Sequence, residues 1–203
     1  MHQAQPFLAA LRSKDTDMAG FRRASHQLSL VLASETLTRL RLRRELIETP
    51  MGPTHARTRS KNVVLIPILR AGLGLLDGFL ELIPGARIGM MGTKRDEETA
   101  EAHWYYENLP PISKTDHVIL LDPMIATGGS ALEAIDSLRK KGIREMQIIF
   151  VGVVASKQGL KRVQTAYPNV EFIVPAVDGK LNAQKFIVPG LGDFGDRYFG
   201  TIE

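Results

Sequence analysis

The stretch His117–Ile135, HVILLDPMIATGGSALEAI, decides how the rest of the chain is read. A buried strand ends at Asp122, a short loop follows, and Thr127-Gly128-Gly129-Ser130 opens a helix. Two glycines let the backbone approach a ligand closely, and Thr127 and Ser130 add hydroxyl donors. The helix start supplies N–H groups and the positive end of a dipole. Together these make a phosphate cradle that uses no lysine, unlike the P-loop pattern GxxxxGK[ST]. Asp122 would repel the same phosphate, whereas its carboxylate suits ribose hydroxyls. The same residues also read as an Asx turn and a helix cap with no ligand at all.

Working outward, further short β-rich apolar runs occupy Val63–Leu69, Ala86–Met91 and Met146–Val154, with Val170–Val177 as a fifth strand. Helical segments at Gly74–Leu82, Ser130–Lys141 and Lys157–Tyr167 alternate with them. Strands alternating with helices of this length predict βαβ units and a parallel sheet, an α/β fold. The unbroken apolar run VVLIPIL suits a sheet covered on both faces. Upstream, Phe21–Leu46 reads as a helix that Asp15 or Asp17 can cap, and Glu48–Lys61 reads as a connector or extended arm. Gly92–Pro111 is polar and aromatic, a loop or hairpin leaving the carboxyl ends of the strands. Asp178–Glu203 is glycine-rich and nearly structureless in pattern.

With 203 residues, the chain is expected to form one domain, divided into an arm (1–61), an α/β core (62–177) and a terminal segment (178–203). A hydrophobic fraction of 44% beside a charged fraction of 24% argues against global disorder. There is no cysteine, which excludes disulfides and thiolate zinc sites. No apolar run approaches the roughly 18 residues of a membrane helix, and no secretory signal is visible at the start. A cytoplasmic protein with no membrane partner is expected. The net charge of +4 is uneven: residues 1–61 carry +6 and residues 62–203 carry −2. Such an arm suits a solvated face, an anion-facing surface or a weak RNA contact, and no specific nucleic-acid partner is expected. The five histidines show no ligand spacing, so no metal site built from protein side chains is expected.

Three more segments carry candidate chemistry. In LIPILRAGLGLLDG (Leu65–Gly78) a strand ends at Arg70, and Gly72, Gly74 and Gly78 open a helix. This imitates a dinucleotide fingerprint, with Lys94-Arg95 placed to meet a 2′-phosphate; equally, the glycines serve close strand–helix packing. Lys94-Arg95 in GTKRDEET (Gly92–Thr99) reads as a solvated, self-paired loop or as a basic loop closing over a polyanion. In FIVPGLGDFGDRYFGT (Phe186–Thr201), glycines leave main-chain groups to read a small planar ligand, with Asp193 and Asp196 as acceptors.

These four segments, in this order, resemble the uracil phosphoribosyltransferase family. LLDPMIATGGS matches its phosphoribosyl-pyrophosphate motif, PILRAGLGLLDG its pyrophosphate loop, GTKRDEET its flexible loop, and LNAQKFIVPGLGDFGDRYFGT its uracil-recognition tail. IETPMG (Ile47–Gly52) also has the family's look. The likeness runs from about Phe21 to the end. The phosphate motif marks type I phosphoribosyltransferases broadly, and the tail marks the uracil members. Three positions depart from the pattern. Phe186 stands where a tyrosine is usual, Lys94 where an aromatic is usual, and Ala155-Ser156-Lys157-Gln158 where an Ala-Pro-rich segment is usual.

The resemblance implies a parallel-sheet type I phosphoribosyltransferase fold with an N-terminal helical arm and a C-terminal base-recognition segment. It implies transfer of phosphoribosyl from phosphoribosyl pyrophosphate (PRPP) to uracil, giving UMP and diphosphate. Arg70, Arg95 and Asp193 take catalytic roles. PRPP contacts fall on Arg70, Arg95, Asp122, Pro123, Met124, Ile125, Ala126, Thr127, Gly128, Gly129, Ser130 and Asp193. Uracil contacts fall on Ile187, Gly192, Asp193 and Phe194, mainly through the main chain. Magnesium arrives with the substrate, with a water link to Asp193. A homodimer or homotetramer and a GTP effector complete what the likeness implies. Two other readings compete with it. A nicotinamide-dependent reductase would use Gly72–Gly78 and leave the other motifs unexplained. A non-enzymatic RNA-binding regulator on the same fold would use the basic arm.

Overall fold

A computed structural model describes residues 1–59, 62–95 and 102–201, with the side chains of 59, 93–95 and 102–104 outside that description. Helix α1 (Gln5–Arg12) leads into α2 (Met18–Arg39), which Asp17 caps by accepting the Gly20 N–H at 2.7 Å. Phe21, Ala24, Leu28 and Leu32 repeat at helical spacing and are buried, so the helix lays its apolar face into the protein while Arg22, Arg23 and Arg39 stay on its exposed, solvated face. The helix stops seven residues short of the expected Leu46. From Leu40 the apolar residues alternate with arginines, and the chain becomes β1 (Leu42–Thr49), which pairs antiparallel with β2 (Gly52–Arg59). Gly52, at φ +132°, makes the tight turn, so the expected connector is half of a hairpin.

The core follows as β3 (Val63–Leu69), α3 (Leu73–Leu82), β4 (Arg87–Ile88), β5 (Met90–Arg95) and β6 (Ala102–Asn108). Next come β7 (His117–Leu121), β8 (Met124–Ile125), α4 (Gly129–Lys140), β9 (Ile148–Val151), β10 (Val154–Ser156) and α5 (Lys157–Ala166). The chain ends with β11 (Glu171–Ile173), β12 (Ala176–Asp178), β13 (Lys180–Leu181), β14 (Ile187–Val188) and α6 (Phe194–Phe199). Three expected strands are thus each split in two. Gly89 separates β4 from β5, Gly152-Val153 separates β9 from β10, and Val174-Pro175 separates β11 from β12.

The main sheet runs β11-β9-β7-β3-β5-β6, with β4 also on β3. Its pairings are parallel except for β6, which returns antiparallel to β5 as the hairpin alternative for Gly92–Pro111. Residues 96–101 of that segment lie outside the described residues. On β3, Val63 and Leu65 face one core cluster with α2 and α3, while Val64, Ile66 and Ile68 face the other with α4. Both faces are covered, as a continuously apolar strand requires.

A second, smaller sheet, β12-β10-β8, is parallel throughout and follows directly after β11, β9 and β7 in the chain. It carries Ile125, Ser156 and Asp178. The terminal segment, expected to be nearly structureless, contains the β13–β14 pair and α6.

Candidate active site

Strand β3 ends at Leu69 and β7 at Leu121, in parallel register, so Arg70 and Asp122 emerge from neighbouring strand ends. Ligands of open α/β sheets sit at such carboxyl ends. A Cβ on Gly72 would lie 2.2 Å from the Leu121 carbonyl oxygen, which measures how closely the two loops pack.

Beyond Asp122 the chain crosses β8 and reaches the turn before α4. Gly128 sits at φ +81°, and a Cβ there would lie 2.7 Å from Val163 Cγ2, so this glycine serves the turn. Gly129 differs. Its added Cβ would meet only Thr127 Oγ1, at 3.6 Å, leaving the mouth of the helix open. The first turn of α4 holds no acidic residue, and a helix start leaves N–H groups without intrahelical acceptors. Such a helix start can receive an anion. Asp122, 9% exposed, accepts the Met124 N–H at 3.3 Å, which is the Asx turn the sequence allows, and the bond leaves the start of α4 untouched.

Two supports of this loop went unrecognised in the sequence. Ser156 caps α5 by accepting the Gly159 N–H (2.9 Å), and its hydroxyl donates to the Ala126 carbonyl (2.6 Å). The signal was present as a serine just before an expected helix. Arg162 Nη1 donates to the Thr127 carbonyl at 3.2 Å, which brings a cation to the cradle. This contact spans 35 residues and had no local signal.

The Arg70 loop behaves otherwise. The N–H groups of Gly72, Leu73, Gly74 and Leu75 donate to the carbonyls of Ile68, Arg70, Ala71 and Gly72. Cβ atoms at Gly74 and Gly78 would come within 2.6 Å of Phe194 and 1.9 Å of Ser29 Oγ. These glycines let α3 pack against α2 and α6, so the dinucleotide reading has no N–H cradle here. The Arg70 side chain is itself exposed. Its Nη2 lies 3.8 Å from Asp196 Oδ1, and its guanidinium lies 5.4 Å from the Phe199 ring centre.

The terminal segment thereby joins the same edge. Phe194 is fully buried, edge-on to Phe21, so only its main chain is available to a ligand. Ile187 is buried as well, while Gly192, at φ +80°, and Asp193 are exposed. Asp193 caps α6, its Oδ1 accepting the Asp196 N–H at 2.9 Å. The structure thus brings together Arg70, Asp122 to Ser130, Ile187, Gly192, Asp193 and Phe194. The backbone of Arg95 pairs with Ala102 in the β5–β6 hairpin; the side chains of Lys94 and Arg95 lie outside the described residues. Among the described residues, no cluster of three or more His, Asp or Glu side chains is placed to hold a metal, and no helix is long and apolar enough to cross a membrane.

A family model described as uracil phosphoribosyltransferase matches residues 1–201. A uracil phosphoribosyltransferase of Enterococcus faecalis is 45% identical over 195 residues, covering 96% of this chain and 92% of that protein. The solved AQ2163 protein of Aquifex aeolicus superimposes with a TM-score of 0.90 at 36% identity, covering 97% of this chain and 93% of the other. An adenine phosphoribosyltransferase of Thermoanaerobacter pseudethanolicus gives a TM-score of 0.50 at 10% identity, covering 76% and 81%. That last likeness is one of fold alone.

Proposed function

The chain belongs to the uracil phosphoribosyltransferase family, and we propose how its residues carry the transfer of phosphoribosyl from PRPP to uracil, giving UMP and diphosphate. The fold is the type I phosphoribosyltransferase α/β fold, and the substrates are small molecules. The observation that carries the assignment of roles is the meeting of Arg70, the Asp122–Ser130 cradle and the Ile187–Phe194 segment at one sheet edge.

The open start of α4, around Gly129, holds the 5-phosphate, and Asp122 accepts from the ribose hydroxyls. Together they fix C1 against N1 of the base, which is the orientation contribution to the rate. As the C1–diphosphate bond lengthens, charge grows on the leaving group, and Arg70 with Arg95 offsets it. Magnesium would be held by oxygens of the substrate, with a water link to Asp193 rather than a site built from protein side chains. Mg²⁺ arriving with PRPP would supply further neutralisation of the leaving diphosphate. Asp193, held by the Asp196 N–H, receives the N1 proton of uracil.

Main-chain groups near Ile187, Gly192 and Phe194 read the uracil edge: N3–H as donor, O2 and O4 as acceptors. Cytosine reverses two of those three and would leave buried polar groups unpaired, a mismatch that discriminates by roughly 10⁴-fold. The test is a radiolabelled-base assay with PRPP and Mg²⁺ across uracil, cytosine, hypoxanthine and orotate. UMP from uracil alone is expected. No UMP, or comparable rates with cytosine, would overturn the reaction or the base readout respectively.

The proposal extends to assembly, regulation and place. The β1–β2 hairpin exposes Leu46 and Met51, apolar surface that a second copy of this chain would cover in a homodimer or homotetramer. GTP, as effector, would find cations in the cleft of Arg41, Arg43, Lys114 and Arg144, at the opposite ends of the strands. A cytoplasmic location follows from a charged sugar-diphosphate substrate that does not cross membranes unaided.

A further inference from the structure

Asp178 ends β12 with a nearly buried carboxylate, and its ties are unusually complete. Arg12 grips it with both terminal nitrogens, Nη1 to Oδ2 and Nη2 to Oδ1, each at 2.8 Å. The same Oδ2 accepts the Gly190 N–H at 2.8 Å, while Arg12 Nη1 also donates to the Gly190 carbonyl at 2.8 Å. One ion pair, drawn from α1 and from the small sheet, therefore holds the main chain on both sides of Gly190. The arginine also holds the Asp178 carboxyl below the usual carboxylate range, against the opposing effect of burial.

Gly190 is placed to transmit that grip. At φ +58°, it lies so close to Ile187 that a Cβ would come within 2.1 Å of the Ile187 carbonyl oxygen. One residue on, the Leu191 carbonyl accepts from Arg197 Nη1 at 2.8 Å. Arg197 in turn donates to the carbonyls of Leu11 and Ser13, the residues flanking Arg12. The backbone at Gly190 and Leu191, between Ile187 and Gly192, is thus pinned by two arginines to the end of α1.

We propose that Arg12 and Asp178 form a positioning pair that sets the spacing of the main-chain groups reading the base, and so governs uracil affinity without touching substrate. The inference rests on the reading of Ile187–Phe194 as the uracil site. Backbone readers discriminate only when held within a fraction of an ångström. A loop freed from its clamp must be ordered at each binding event, which weakens binding of the group it reads. Among the described hydrogen bonds none joins the Asp122–Ser130 loop to this pair, so the two substrates separate the cause.

The experiment is steady-state kinetics on the full chain for Asp178→Asn and Arg12→Lys, with KM measured separately for uracil and PRPP. Asp178→Asn keeps an acceptor for the Gly190 N–H but loses the charge that orients Arg12. Bonds to ionised groups are worth enough that about a tenfold rise in the uracil KM is expected, with the PRPP KM little changed. Arg12→Lys keeps the cation and should fall between wild type and Asp178→Asn, which leaves a milder variant if the first folds poorly. Both KM values rising together, or a lowered melting temperature with an unchanged uracil KM, would overturn the pairing's role. Absence of UMP formation by the wild-type protein would instead sink the site reading on which it rests.

Discussion

Two strand–glycine–helix turns lie side by side at the carboxyl edge of the sheet, and they do opposite things. At β3–α3, Gly72, Gly74 and Gly78 each stand where a neighbour leaves no room, and the local N–H groups are already bonded within the turn. At β8–α4, Gly128 fits the turn and Gly129 faces open space at a helix start. In sequence both are glycine punctuation after an apolar strand. What differs is the occupant of the missing Cβ position: protein in one case, room for a ligand in the other. The first turn therefore offers its side chain, Arg70, where the N–H groups of Gly72 to Leu75 are already bonded, and the second offers the backbone of a helix start.

The largest effect should come from filling the crowded turn. Gly72→Ala puts a carbon 2.2 Å from the Leu121 carbonyl oxygen and 2.6 Å from the Ile68 nitrogen, both main-chain atoms that cannot swing away. Overpacking of this kind costs about 3 kcal/mol or more. In a chain of this size that lowers the melting temperature by roughly 6–12 °C. A thermal melt checks it; an unshifted transition would break the contrast between the turns.

Gly129→Val is the reciprocal test. The position has space and an ordinary helical backbone, so the melt should stay near wild type. The isopropyl group would occupy the volume assigned to the 5-phosphate, and the apparent KM for PRPP should rise by about tenfold or more. Normal PRPP affinity in a folded Gly129→Val protein would remove the cradle from this turn.

Much of this was legible beforehand, for reasons particular to each element. Alternating faces on VVLIPIL and the TGGS helix start are local patterns, so the sheet, its covering layers and the turn into α4 could be read directly. The glycines of RAGLGLLDG could not be assigned between ligand and packing, because the deciding atoms belong to Leu121, Phe194 and Ser29, distant in the chain. The β1–β2 hairpin was hidden because Arg41–Arg44 resembles a helix surface as much as a strand edge. The terminal segment looked structureless because its order is borrowed: Arg12 and Arg197 supply it across 166 to 186 residues. No periodicity within residues 178–203 records that.

Arg70→Ala should give the next effect in size. The guanidinium leans toward Asp196 across 3.8 Å in the exposed mouth of the site, a weak tether that leaves it able to turn to the diphosphate. Loss of charge-assisted bonds worth about 1.5–3 kcal/mol predicts a fall of tenfold or more in kcat/KM for PRPP. The melt should hardly move, since Arg70 contributes its side chain to the mouth rather than to the core. Unchanged kinetics would mean that the Arg70 side chain takes no part in the chemistry.

The smallest effect concerns what holds the open turn open. Ser156 joins two structures with one hydroxyl. It accepts the Gly159 N–H to start α5, and it donates to the Ala126 carbonyl in the phosphate loop. Gly159 packs into the same junction, since a Cβ there would lie 2.2 Å from the Ala126 oxygen. Ser156→Ala removes the cap, a loss of about 1 kcal/mol, and leaves the part-buried Ala126 carbonyl without that bond. The melting temperature should fall by roughly 2–4 °C, with a two- to threefold rise in the PRPP KM expected as the loop loosens, a loss of about half a kcal/mol in binding. Ser156→Thr keeps the hydroxyl and should recover most of both if the pocket admits its methyl group. A stability loss with no change in the PRPP KM would show that the cradle's geometry is set by Gly128 and α4 alone, with the small sheet only a scaffold beneath it.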